Sequence, residues 1–283
     1  MIDIHDIYIR DPYLLFYQGK YYLYGTTDEQ AWKGRASGFK AFVSTDLVNF
    51  EEHTIFKNTD DFWGFEQFWA PEVYYLNDKF YLIAAFSEGD EVRRIQILTA
   101  ENPLGPFIPK KEKLFKDKFS HLDGTLVMDG GKKYIVFSQE WTGLEDRDGR
   151  MCIVEVNDDL EPVSDYKVLF KASEAAWTVK EKNDHYVTDG PFVVKNDLGQ
   201  FVMIWSSFSK SGYSVGQCIA DRVDGPYQHK SDLLIGENGG HGMIFRKDGK
   251  LFLLFHKPNE PHLQERPCFV EIYFDKGILK RRR

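Results

Sequence analysis

The sequence predicts an all-β chain folded as a five-bladed β-propeller, on three observations. Aromatic residues make up 16% of the 283 residues, with 23 Phe, 15 Tyr and 6 Trp; such side chains favour the half-buried, pleated surface of a sheet. Long windows with an apolar stripe at helical spacing are missing. The best of them, residues 172–182, holds Trp177, Thr178 and Val179 and shows no such stripe. Third, one unit recurs five times: an apolar run, a tight turn, and a second aromatic run.

The copies follow in order. The first runs from Asp11 to Tyr24 around Gly19, the second from Ala70 to Ile83 around Asp78, and the third from Asp123 to Val136 around Gly130. The fourth runs from Asp189 to Ile204 around Gly199, and the fifth from His241 to Leu254 around Gly249. Each reads as a β-hairpin, because its turn carries Asn, Asp or Gly, which tolerate positive φ. The copies begin at 11, 70, 123, 189 and 241, so 52 to 66 residues separate them and two more strands fit in each. Segments 41–44, 95–98, 152–155 and 214–217 supply the third strands. Matching corners follow at Leu104-Gly105-Pro106-Phe107 and Asp224-Gly225-Pro226-Tyr227. A sandwich would also show short strands and turns, but it does not make whole hairpins repeat. No linker rich in Pro, Gly or Ser divides residues 1–283, which read as a single domain.

Charge and cysteine usage narrow the function classes. Lys plus Arg is 36 against 44 for Asp plus Glu, giving a net charge of −8. Without clustered cations, neither nucleic acid nor an anionic membrane is an expected partner; the run Arg281-Arg282-Arg283 is too short to change that. No window of about 18 apolar residues exists to span a bilayer. The first ten residues carry charges where a signal peptide needs an apolar core. The cysteines Cys152, Cys218 and Cys268 are odd in number, far apart and without CxxC spacing. They suit a reduced, cytoplasmic protein and offer no zinc site.

The repeat also organises the chemistry. In a propeller the first strand of each blade is innermost, so the five copies' first residues (Asp11, Ala70, Asp123, Asp189 and His241) should face one another at one mouth of the channel. Three carboxylates at one repeat position are costly to bury together, and such sites shift pKa values for a purpose. The second strands run back to the same mouth, bringing Thr26, Ser87, Glu140, Trp141, Ser206 and His256, and Trp69 precedes the second inner strand at the rim. Carboxylates and hydroxyls bond sugar hydroxyls, and aromatic faces stack on sugar C–H faces. An oligosaccharide is the expected ligand.

These segments together resemble glycoside hydrolase family 43, five-bladed propellers that include α-L-arabinofuranosidases, β-xylosidases and arabinanases. The resemblance rests on Arg10-Asp11-Pro12, Trp69-Ala70-Pro71-Glu72, Leu122-Asp123-Gly124-Thr125, Asp189-Gly190-Pro191 and Gly240-His241-Gly242 in that order. It implies that Asp11 is a general base, that Asp123 tunes and orients the acid, and that His241 is a channel residue. It also implies Arg266 as a grip on sugar hydroxyls. The expected reaction is single-displacement hydrolysis with inversion at a terminal arabinofuranosyl or xylosyl linkage, for which the acid and base carboxyls stand about 6.5–9.5 Å apart.

One position departs from the pattern. The family's acid is typically Glu before Gly-Pro, whereas this chain has Asp189, one methylene shorter and about 1 Å shorter in reach. Either Asp189 serves as the acid or Glu140 or Glu174 replaces it. No cofactor is required; a structural calcium ion near His241 is allowed, with the imidazole contributing through a bound water. Two further readings stay open: a non-hydrolytic or weakly active glycan-binding propeller, and another five-bladed glycosidase family.

Overall fold

Every predicted hairpin forms, and each becomes the inner half of one antiparallel sheet. The computed structural model describes residues 1–182 and 184–282; Arg283, the last of the terminal arginines, lies outside the described residues. The first blade holds β1 (Ile2–Asp3), β2 (Arg10–Tyr17), β3 (Lys20–Thr26), β4 (Gly38–Ser44) and β5 (Asn49–Lys57). The second holds β6 (Glu66–Leu76), β7 (Lys79–Ser87), β8 (Arg93–Ala100) and β9 (Ile108–Lys113). The third holds β10 (His121–Asp129), β11 (Lys132–Gln139), β12 (Arg150–Val156) and β13 (Lys167–Lys171). The fourth holds β14 (Asp189–Lys195), β15 (Phe201–Ser209), β16 (Gly212–Ala220) and β17 (Gln228–His229). The fifth holds β18 (Gly240–Lys247), β19 (Lys250–Lys257), β20 (Arg266–Asp275) and β21 (Ile278–Arg281).

Strands lie in chain order within each sheet, except that β1 adds a fifth, outermost strand to the first blade beside β5. The inner strands β2, β6, β10, β14 and β18 touch in ring order, and β18 meets β2 to close the ring. Segment 172–182 forms no α-helix: it carries a 3₁₀ turn, Ala172–Glu174, and a single bridge from Glu181 to His185.

The aromatic content fills the spaces between blades. Phe39, Phe56, Phe62, Phe68 and Phe86 form one packed group between the first two sheets, with ring centroids 4.7 to 6.4 Å apart. Between the third and fourth sheets, Phe170, Trp177 and Trp205 play the same part. Flat rings and β-branched chains suit such gaps, because they bury much area and lose little rotamer freedom.

A recurring bulge sets the mouth of the channel. Near its start each inner strand skips a step of pairing at a residue of positive φ: Asp11 (52°), Ala70 (48°), Asp123 (56°), Gly190 (49°) and His241 (45°); β6 has a second such step at Gln67 (54°). At four of the five, the preceding blade catches the bulge N–H. Ala70 N donates to Thr26 Oγ1 (2.9 Å), Gly190 N to Asp123 Oδ2 (2.9 Å), His241 N to Ser206 Oγ (2.8 Å) and Asp11 N to His256 Nδ1 (3.1 Å). The blades are thereby stitched together at the level where the carboxylates sit.

This register corrects one expectation. Asp189 does not share the repeat position of Asp11 and Asp123. It pairs with Ser206 as Arg10 pairs with Thr26, Leu122 with Ser138 and Gly240 with His256. The bulge position in the fourth blade belongs to Gly190, and Asp189 stands one residue before it.

Candidate active site

A cavity of about 450 Å³ opens at that mouth, within the range of small-molecule sites. Asp11, Asp123, Asp189, His241, Trp69, Glu140 and Trp141 all line it. The bulge turns the Asp11 and Asp123 side chains toward the axis. At Gly190 a Cβ would come within 2.7 Å of the His241 ring, so glycine lets the fourth blade approach the imidazole.

Asp11 and Asp123 sit on either side of His241. The imidazole Nδ1 lies 3.2 Å from Asp11 Oδ1 and 3.7 Å from Asp123 Oδ2. Thr26 donates its hydroxyl to Asp11 Oδ2 at 2.6 Å. Burial alone would raise the Asp11 carboxyl. His241, Arg10 and the Thr26 hydroxyl outweigh it and hold Asp11 below the usual carboxylate range. Burial lowers His256 to about 3, so that ring is neutral and its Nδ1 accepts the Asp11 N–H.

The other two carboxyls move the opposite way. Burial, and then the neighbouring Asp189 and Asp11 charges, pushes Asp123 well above its ordinary value. Burial pushes Asp189 up to about 7, against the bond it accepts from the Tyr213 hydroxyl at 3.0 Å. Two such carboxyls titrate as a pair. The cavity therefore combines a carboxyl held low, Asp11, with a coupled pair held high, Asp123 and Asp189.

Around this centre the rim is built from loops. Asp28, buried, accepts bonds from Gln30 N (2.7 Å) and Ser37 Oγ (2.6 Å), folding residues 27–38 back over its carboxylate. That loop presents Trp32, which lies T-shaped to Trp69 with centroids 5.3 Å apart. Trp69 Nε1 donates to Ala31 O at 2.6 Å, and Arg93 lies over the Trp69 ring. The guanidinium of Arg10 covers Trp32, and Glu265 and Asn259 hold it in place. On the far side, Trp141 stacks on His185 with centroids 3.7 Å apart, and Arg147 lies over it. Much of its stacking surface is therefore already taken by protein.

Two predicted residues lie elsewhere. Arg266 does not line the cavity. Its guanidinium donates to the main-chain carbonyls of His5 (3.1 Å), Leu263 (3.2 Å) and Glu265 (2.8 Å), so it braces a loop instead of gripping a sugar. Glu174 is exposed and accepts from Lys171 N in its own turn, remote from the lining residues. Glu140 does face the cavity, but its Oε2 is held by Arg93 (2.8 Å) and Ser120 (2.9 Å). Among the described residues, no group of three or more His, Cys, Asp or Glu side chains could hold a metal ion. A calcium ion near His241 would thus depend chiefly on water ligands.

The family model for glycosyl hydrolases family 43 matches residues 4–277. The chain belongs to that family. A Bacteroides ovatus protein named xylosidase/arabinosidase is 28% identical over 148 residues, which span 48% of this chain and 45%, about half, of that relative. The solved endo-arabinase of Bacteroides thetaiotaomicron VPI-5482 is 32% identical with a TM-score of 0.88, covering 98% of both chains. A thermostable family-43 glycoside hydrolase is 28% identical with a TM-score of 0.85, covering 97% of this chain and 92% of that one.

For a family 43 chain the sequence motifs were good guides to the inner strands and poor guides to the walls. Trp32, Arg93, Tyr213 and His262 also line the cavity, and none was singled out beforehand. Trp32 and His262 lie in loops that do not repeat. Tyr213 belongs to a third strand, where only a polar tip on an aromatic ring beside the channel would have flagged it.

Proposed function

We propose that this protein is an O-glycosyl hydrolase that cleaves arabinose- or xylose-containing glycans, acting on a terminal pentose linkage with inversion of the anomeric centre. The observation that carries the reading is the unequal trio of carboxyls in one cavity: Asp11 below the usual range, Asp123 and Asp189 above it. Paired carboxyls pushed apart by their surroundings are what acid–base hydrolysis requires. The relatives' names, an endo-arabinase and a xylosidase/arabinosidase, support the pentose.

In this reading Asp11 is the general base. It takes a proton from a water set below the anomeric carbon while that water's oxygen bonds the carbon. Asp189 gives its proton toward the departing glycosidic oxygen. Asp123 holds the Gly190 N–H beside Asp189, so it orients the acid. His241 keeps Asp11 and Asp123 apart.

The reading is tested on a panel of nitrophenyl α-L-arabinofuranosides and β-D-xylosides with arabino- and xylo-oligosaccharides. Release of a pentose from at least one supports it. Binding without any product would make the protein a glycan-binding propeller instead. On a cleaved substrate, kcat/KM should fall as pH rises through about 7, where Asp189 loses its proton. The acid limb should lie below the usual carboxylate range, because Asp11 stays ionised there. Activity unchanged from pH 6 to pH 9 would contradict the assignment of Asp189.

A further inference from the structure

We propose that Tyr213 is a further catalytic residue, which relays the proton of Asp189 to the glycosidic oxygen. The inference rests on the hydrolase reading above and deepens it at the one position where this chain is a methylene short. A carboxyl that stops about 1 Å short of its target can lose about 10²-fold in rate. The phenol bonded to it lines the same cavity and carries a proton of its own.

The placement is specific. Tyr213 lines the same cavity as Asp189, and its hydroxyl lies 3.0 Å from Asp189 Oδ2, its one hydrogen-bond partner among the described residues. Its ring is fixed on three sides. It lies nearly parallel to His256 (centroids 5.9 Å apart, planes at 22°) and against Phe208 at 5.4 Å. On the third side is Gly240, where a Cβ would come within 2.4 Å of Cε1. Only a residue without a side chain admits the ring here. The phenol thus cannot swing away, and a fixed donor costs no reorganisation when the reaction occurs. Burial, with the neighbouring Asp189, Asp11 and Asp123 carboxylates, raises the phenol well above its ordinary value. It therefore keeps a proton at every working pH and gives one up only as it receives another.

The alternatives in the cavity are weaker. Glu140 is committed to Arg93 and Ser120, Glu174 lies outside the lining, and Asp11 is needed ionised on the water side.

The step balances. When Asp189 is protonated the 3.0 Å bond runs the other way, from Asp189 Oδ2–H to Tyr213 Oη, and the phenol hydrogen turns to the substrate. The Asp189 Oδ2–H bond then breaks and its proton passes to Tyr213 Oη, while the Tyr213 Oη–H bond breaks and that proton passes to the glycosidic oxygen. The bond from that oxygen to the anomeric carbon breaks, and its electron pair stays on the oxygen. The attacking water bonds the carbon and gives its proton to Asp11. Asp189 ends ionised, Asp11 protonated and Tyr213 as it began; exchange with solvent resets both carboxyls once the products leave.

The test is Tyr213→Phe, in wild type and in Asp189→Glu, on two glycosides of the same pentose. One has a 2,4-dinitrophenyl leaving group, which departs without protonation, and the other an alkyl group, which does not. In wild type the substitution should lower kcat at least about 10²-fold more on the alkyl glycoside than on the dinitrophenyl one. In Asp189→Glu, whose longer side chain reaches the oxygen directly, that selective loss should shrink at least about tenfold. Equal losses on both leaving groups, or an undiminished loss in Asp189→Glu, overturn the relay and leave a structural role. If Asp189→Glu is itself inactive, the leaving-group comparison decides. If Tyr213→Phe does not fold, a proton inventory of the wild type on the alkyl glycoside decides: three protons in flight are expected, one of them the water proton that passes to Asp11, and two overturn the relay. A wild type that cleaves neither glycoside nor anything else in the panel overturns the hydrolase reading itself and the relay with it.

Discussion

Asp11→Asn is expected to lower kcat/KM on any cleaved aryl pentoside by about 10²–10⁴-fold, the range lost when a positioned general base is removed. The amide keeps the shape of the carboxylate, and its oxygen can still accept the Thr26 hydroxyl that lies 2.6 Å from Asp11 Oδ2. What it loses is the ability to take a proton from water. The neighbouring His241 and His256 cannot substitute. Burial lowers both below the ordinary histidine range, to about 3 for His256, so neither is basic enough to serve. Because a general base acts on the attacking water and not on the sugar, the loss should fall on kcat, with KM and oligosaccharide affinity little changed. Turnover within a factor of about two of wild type would remove Asp11 from the mechanism.

The largest expected effect on stability comes from Arg10, one residue before the base. Its guanidinium bonds Glu265 Oε1 at 2.6 Å, Asn259 Oδ1 at 2.9 Å and Asn259 O at 3.1 Å. Glu265 is fully buried (0% exposed), and its second oxygen has no hydrogen-bond partner among the described residues. Breaking a buried pair by removing one member leaves an uncompensated charge, which costs about 3–5 kcal/mol. Arg10→Met should therefore lower the melting temperature on the order of 10 °C. Arg10→Met combined with Glu265→Gln should recover much of that loss, because the amide leaves no buried charge. The pair also spans the ring: Arg10 starts the first blade, and Glu265 precedes the last blade's third strand. A single mutant as stable as wild type would show that the closure does not depend on this contact.

The architecture was readable because a hairpin repeated five times can bury its faces only by stacking into a ring, and that ring carries Asp11, Asp123 and His241 to one mouth. The register of Asp189 was not readable. Asp and Gly both tolerate positive φ, so Asp189-Gly190 looks like Asp123-Gly124, and only the pairing of Asp189 with Ser206 shows that Gly190 holds the bulge. Arg266 misled for a different reason. The family resemblance implied a sugar contact for its guanidinium, yet three main-chain carbonyls around it take its donors. The walls escaped altogether: nothing repeats in the loops that carry Trp32 and His262, and their positions depend on long-range bonds such as Trp69 to Ala31.

The account requires that a water attack from the face opposite the leaving group, with Asp11 behind it and Asp189 across the bond. Proton NMR of the first pentose released from an aryl glycoside, followed before the anomers equilibrate, reads this directly. The account predicts the inverted anomer as the first product. A first product that retains the substrate's configuration would contradict it, since one of the carboxyls would then have to bond the sugar.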